Sequence, residues 1–143
     1  DIRWGRCDIK STSLLGNVMQ MNSAQKHDCD EVIMHKENIL TEAGASNVFF
    51  VKNGTICTPA LSNNILPGIT RALLINEIKK INIPLIEGIF DLKDLSNASS
   101  AWLSSSTKGL APISEIINLD NTLDIQDPIY LKCKDAFDYK FFS

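Results

Sequence analysis

The dipeptide Asn53-Gly54 restricts the fold of this chain more tightly than any other feature, because it sits between two extended runs, Asn47 to Lys52 and Thr55 to Thr58. A two-residue hairpin turn whose twist suits the flanking strands needs positive φ at both central positions, and Asn followed by Gly meets that need at least cost. The pair therefore predicts an antiparallel hairpin with its register set by the turn. Just upstream, Glu31 to His35 and Ile39 to Thr41 flank Glu37 and Asn38 and predict a second hairpin, with the small-residue loop Glu42 to Ser46 between the two.

Helical periodicity surrounds these strands. Ser11 or Ser13 can cap a helix whose apolar positions are Leu14, Leu15, Val18, Met19 and Met21. Asp1 to Ile9 reads as a short strand before it, which puts Lys10 at a strand-to-helix junction. Pro67 and Gly68 introduce a helix over 69–81 that buries Leu74, Ile75, Ile78 and Ile81 on one face. Ile83 to Ile86 reads as a strand, Asp91 to Asn97 as a short helix, and Ala101 to Ser104 as a strand that enters the turn Ser104, Ser105, Ser106, Thr107. From Asp127, the spacing of Ile129, Cys133, Ala136 and Phe137 predicts a closing helix. Mixed strands and helices with several hairpins make this an α/β domain whose sheet is not purely parallel.

The 143 residues fit one domain, or one half of a two-domain subunit, with 44% apolar and 22% charged residues, and the net charge of −3 offers no broad basic surface to nucleic acid. No apolar run is long enough to span a bilayer and no signal-peptide pattern opens the chain, so a cytoplasmic location is expected. Cys7, Cys29, Cys57 and Cys133 lack the paired spacing of zinc sites and read as free, mostly buried thiols. No metal is expected. The chain opens on Asp1 with periodic structure beginning at once, which predicts a missing upstream segment.

Two elements suit a phosphate. A helix N-terminus presents unpaired N–H groups and the positive end of its dipole, and Gly68, Ile69 and Thr70 occupy that place. The hydroxyls of Ser104 to Thr107 end a strand, where open α/β sheets present binding groups. Read singly, Thr70 is a helix cap and Ser105 a polar turn residue. Lys10 taken alone is a solvated surface charge; partial burial would free its amine as a nucleophile. Glu42 alone is a solvated strand-end carboxylate, yet in a loop of small residues it can be approached by a flat ring and keep a pyridine nitrogen protonated. Leu66, Trp4 and Trp102 read as core, and His27 and His35 as structural or exposed.

The run Asp1, Ile2, Arg3, Trp4, Arg6, Cys7, Asp8, Ile9, Lys10, Ser11 resembles the lysine motif of the D-amino acid (D-alanine) aminotransferases, members of the fold type IV, class IV pyridoxal-phosphate enzymes. Thr41, Glu42, Ser46, Asn47 and Val48 resemble that family's glutamate loop, and Ile65 to Arg71 its phosphate-helix motif. The resemblance extends through Ser105 and Ser106 and fades after Asn118. Ala45 stands where many members carry serine, and Ser106 where threonine is common.

The resemblance implies a mixed-sheet, barrel-like cofactor-binding domain with surrounding helices, the C-terminal domain of the family's fold. It implies that pyridoxal 5′-phosphate is bound, with Lys10 as its Schiff-base lysine and general acid/base and Glu42 at the pyridine nitrogen. Ser46 and Asn47 belong to the glutamate loop, Leu66 packs on the ring, and Gly68, Ile69, Thr70, Ser105 and Ser106 hold the phosphate. The implied activity is transamination between D-amino acids and 2-oxo acids by a homodimer. 4-Amino-4-deoxychorismate lyase and branched-chain aminotransferase share the same core, and a non-catalytic dimerisation or binding domain is the rival of another class. The family's N-terminal domain, which supplies a phosphate-binding arginine and the substrate grip, has no counterpart in these residues. The isolated chain is therefore expected to be inactive and to expose an apolar face.

Overall fold

A computed structural model describes residues 15–142. The order is α1 (Leu15–Lys26), β1 (Ile33–Lys36), β2 (Ile39–Ala43), β3 (Asn47–Lys52), β4 (Thr55–Pro59), α2 (Ile69–Lys80), β5 (Leu85–Gly88), α3 (Leu92–Ser96), β6 (Ser100–Ser105), β7 (Gly109–Pro112) and α4 (Pro128–Phe142). The predicted strand over residues 1–9, Lys10 and the cap at Ser11 or Ser13 lie outside the described residues.

Both hairpins form where the turn chemistry places them. Glu37 and Asn38 have φ of 51° and 66°, and Asn53 and Gly54 have 51° and 76°, so each turn holds two left-handed residues. β3 and β4 pair antiparallel from Phe50↔Cys57 to Lys52↔Thr55. The five-stranded sheet has the order β5-β4-β3-β6-β7, and only β4 with β5 is parallel. That pair needs a crossover, which α2 provides. The two-stranded hairpin β1-β2 is tied beside this sheet: Leu40 N–H donates to Phe90 O at 2.8 Å, just past β5, and Ala43 N–H to Ser46 O at 2.8 Å, just before β3.

Alternation along β3 splits the core in two. Phe49 and Val51 face the helices α2 and α4 with Ile56, Leu74, Ile78, Trp102, Tyr130 and Cys133, all buried. Phe50 faces the other way and packs with Leu40, Cys57, Leu95 and Ala101 beneath the hairpin and α3. α3 starts on a capping box in which Asp94 N–H donates to Asp91 and Asp91 N–H to Asp94. α4 starts at Pro128, with the Asp127 carboxylate accepting from the Ile129 N–H at 2.8 Å.

Three expectations need correction. Ile81 is not on the buried face of α2: it is the C-cap residue, 37% exposed, because Asn82 turns left-handed (φ 57°) and ends the helix. The strand expected at Ile83 to Ile86 is shifted to Leu85–Gly88, where it pairs with Ile56 to Pro59. In α4 the inward side includes Tyr130 along with Cys133 and Phe137, whereas Ile129 and Ala136 are half-buried. β7 has no counterpart in the sequence reading. Among the described residues no helix is long and apolar enough to cross a membrane, and no group of three or more potential metal ligands occurs.

Candidate cofactor site

The sheet brings the candidate residues to one end. β3 runs antiparallel to β4 and β6, so its first residue, Asn47, lies level with the last residues of β6: Asn47 pairs with Ser104. β4 ends at the same side at Pro59, and β5, parallel to it, ends there at Gly88. The chain then returns through Leu66 and Pro67 to begin α2 at this end, with Gly68 as its N-cap.

Glu42, expected to open the loop, is the penultimate residue of β2 and is 5% exposed, so the solvated reading of this carboxylate is wrong. Its Oε2 accepts from the Leu66 N–H at 3.1 Å and from Asn47 Nδ2 at 3.3 Å. A buried carboxylate is tolerated when donors converge on it in this way. Asn47 Nδ2 also donates to Leu66 O at 3.1 Å, so the acid, the amide and the residue preceding Pro67 form one closed set of bonds.

The loop between β2 and β3 is held from outside by Glu31. One oxygen of that carboxylate accepts from the Val32 and Gly44 N–H groups, each at 3.0 Å, and the other from Ser46 Oγ at 3.3 Å. The Ser46 hydroxyl is therefore engaged with Glu31, and the sequence offered no sign of this partner. A Cβ at Gly44 would run into Met21 Sδ and Glu31 Oε1, so those side chains would have to shift.

α2 begins with no side-chain cap. Gly68, not Thr70, occupies the cap position, which leaves the first-turn N–H groups without intrahelical acceptors. Ile69 is 75% exposed and Thr70 is buried. Arg71, one residue on, is 4% exposed; its Nη2 donates to Pro59 O at 3.1 Å and to Glu87 Oε1 at 2.7 Å. This guanidinium ties the first turn of α2 to the ends of β4 and β5, a positioning contact the sequence reading passed over.

At the end of β6, Ser105 Oγ accepts from the Lys108 N–H at 3.1 Å, as a polar turn residue would, and Ser106 is exposed. Ser104 differs: it is 2% exposed and its hydroxyl has no hydrogen-bond partner. An unpaired buried hydroxyl is costly, and this one lies level with Asn47 at the end of the sheet that carries the α2 N-terminus. The structure thus brings together Glu42, Asn47, Leu66 and Gly68 by direct contact, with Ser104 and Ser105 on the adjoining strand. A buried acid, a helix N-terminus and serine hydroxyls at one sheet end suit a ligand with a ring nitrogen at one extremity and a phosphate at the other.

Residues 1–116 match the model of the amino-transferase class IV family. D-alanine aminotransferase of Listeria monocytogenes is 45% identical over 116 residues, which cover 81% of this chain and 40% of that protein. The chain thus spans about two fifths of the length of curated relatives such as this one. Among solved structures, the branched-chain aminotransferase of Thermoproteus uzoniensis with norvaline superposes with a TM-score of 0.83 at 28% identity, over 92% of this chain and 44% of that one. A putative 4-amino-4-deoxychorismate lyase of Legionella pneumophila gives a TM-score of 0.85 at 26% identity, over 92% and 49%. The fold, the matched span and the identity lead to one conclusion: the chain belongs to the class IV aminotransferases.

Proposed function

We propose that this chain is the cofactor-bearing part of a pyridoxal-phosphate enzyme that transfers an amino group between D-amino acids and 2-oxo acids, converting D-alanine and 2-oxoglutarate to pyruvate and D-glutamate. The observation that carries the reading is the pinned, buried Glu42 carboxylate bonded to Leu66, two residues before the α2 N-terminus. The 45% identity to a D-alanine aminotransferase favours this substrate class. A cytoplasmic homodimer completed by a further domain is the assembly that goes with it.

When bound, pyridoxal phosphate supplies a carbonyl carbon for amine attachment and a protonated ring that withdraws electrons from the substrate Cα. The residues divide the remaining work. Lys10 would hold the cofactor covalently, and its amine would serve as the acid and base at the substrate Cα. Glu42 holds the proton on the ring nitrogen, as an anion does and a neutral amide cannot. Leu66 packs on the ring. The N–H groups of Ile69 and Thr70, with the hydroxyls of Ser105 and Ser106, take the phosphate, and Gly68 lets the backbone approach it.

The complete protein, supplied with D-alanine and 2-oxoglutarate, should produce pyruvate steadily. Borohydride reduction should fix the cofactor on the peptide that contains Lys10, and Glu42→Gln should bind cofactor while turning over slowly. Modification of Lys26 or Lys108 instead, or an unchanged maximal rate for the Glu42 variant, would overturn these assignments. The two solved relatives belong to enzymes with other named activities on the same fold. Branched-chain 2-oxo acid formation, or pyruvate release from aminodeoxychorismate without transamination, would move the assignment to one of those.

A further inference from the structure

Asn47 is 6% exposed, and its side-chain nitrogen lies between two acceptors, Glu42 Oε2 at 3.3 Å and Leu66 O at 3.1 Å. An atom in that place must be the NH2 group, so the neighbours fix the orientation of the amide and both of its hydrogens are used. The other end of the amide is packed against the helix cap: a Cβ on Gly68 would run into Asn47 Oδ1. Asn47 therefore has no donor left for a bound molecule, although the family resemblance groups it with the cofactor residues.

We infer that Asn47 is a positioning residue that sets the distance and angle between the Glu42 carboxylate and the N-terminus of α2. One short side chain touches both: its nitrogen holds the acid and the Leu66 carbonyl, and its oxygen abuts the cap. Leu66 closes the set by donating its own N–H to the same carboxylate oxygen and accepting the Gly68 N–H at 2.9 Å. A rigid ligand that meets an acid at one end and a helix N-terminus at the other binds well only while that separation is held. Any side chain at position 68 would force the Asn47 amide to shift.

The inference rests on the cofactor reading above, and a double-mutant cycle separates the two. Pyridoxal phosphate affinity of the complete apoprotein is measured by tryptophan fluorescence for the parent, Asn47→Leu, Glu42→Gln and the double variant. If Asn47 acts through Glu42, each single change weakens binding about tenfold and the double variant is at most about threefold worse than either. Losses that multiply to about a hundredfold would mean that Asn47 contributes only general stability, and an Asn47 variant within about twofold of the parent would mean that it holds nothing; both overturn the inference. A loss for Glu42→Gln without a loss for Asn47→Leu overturns this inference alone. Full affinity in Glu42→Gln overturns this inference, and an unchanged maximal rate in that variant overturns the cofactor reading as well. Should Asn47→Leu fail to give a folded circular-dichroism spectrum, Asn47→Ser removes the amide without added apolar bulk and is carried through the same cycle.

Discussion

At the scale of single residues, two buried hydroxyls without a hydrogen-bond partner among the described residues stand in different places. Ser104 lies at the sheet end that carries the site, whereas Tyr130 lies in the core behind it, 2% exposed, with its hydroxyl unpaired and its ring 5.3 Å from that of Trp102. Burial first, and the Asp138 charge second, push the Tyr130 hydroxyl up to about 12. This phenol pays a desolvation cost without a hydrogen bond in return. Tyr130→Phe should therefore raise stability by about 1 kcal/mol in urea denaturation, and a loss of more than about 1 kcal/mol would show that the hydroxyl has a role. Residue identity made part of the candidate site legible beforehand. Glu42, Leu66 and Gly68 stand in motifs whose chemistry can be read in order along the chain. The Glu31 clasp on Ser46 and the Arg71 tie to Pro59 and Glu87 could not be read, because each joins residues whose proximity is created by the fold.

At the scale of elements, α3 is a helix of five residues that depends on what surrounds its ends. Asp94 serves the capping box and also receives Lys52 Nζ at 2.6 Å from the end of β3. The hydrogen bond from Lys52 holds the Asp94 carboxyl below its usual range, and the same bond holds Lys52 above its own. A lowered carboxyl contributes stability above its unfolded value and loses it as pH falls through the folded one. A raised amine contributes below its unfolded value and loses it as pH rises through the folded one. The melting temperature should thus fall from about pH 5 to about pH 3, and less steeply in Lys52→Met. Equal slopes would assign the acid sensitivity to other carboxyls. Elements with their own local signal were legible: the two hairpins, α2 and α4. β7 was not, since Gly109 to Pro112 has one large apolar residue and a terminal proline, and becomes a strand only by pairing with β6. β5 was displaced by two residues for a similar reason, its register being set by β4.

At the scale of the whole molecule, the α/β class with a mixed sheet followed from hairpins alternating with helices. The placement of the hairpin β1-β2 beside the sheet did not follow, because it rests on contacts between distant residues, the backbone bonds of Leu40 to Phe90 and of Leu92 to Asn38 and the packing of Leu40 with Phe50. The ladder between β3 and β6, running from Asn47↔Ser104 to Val51↔Ser100, also sets the order of events during folding. Its two strands are far apart along the chain, and closing so long a loop costs entropy before any contact repays it. The hairpin β3-β4 closes a two-residue turn and can form early. The candidate site cannot assemble until the ladder zips, since Ser104 and Ser105 reach the glutamate loop only through it. In pulse-labelled hydrogen exchange on the refolding protein, amides of β6 should gain protection later than those of β4, and the capacity to quench tryptophan fluorescence with pyridoxal phosphate should return with β6. Binding competence restored before β6 is protected would show that the site assembles by another route.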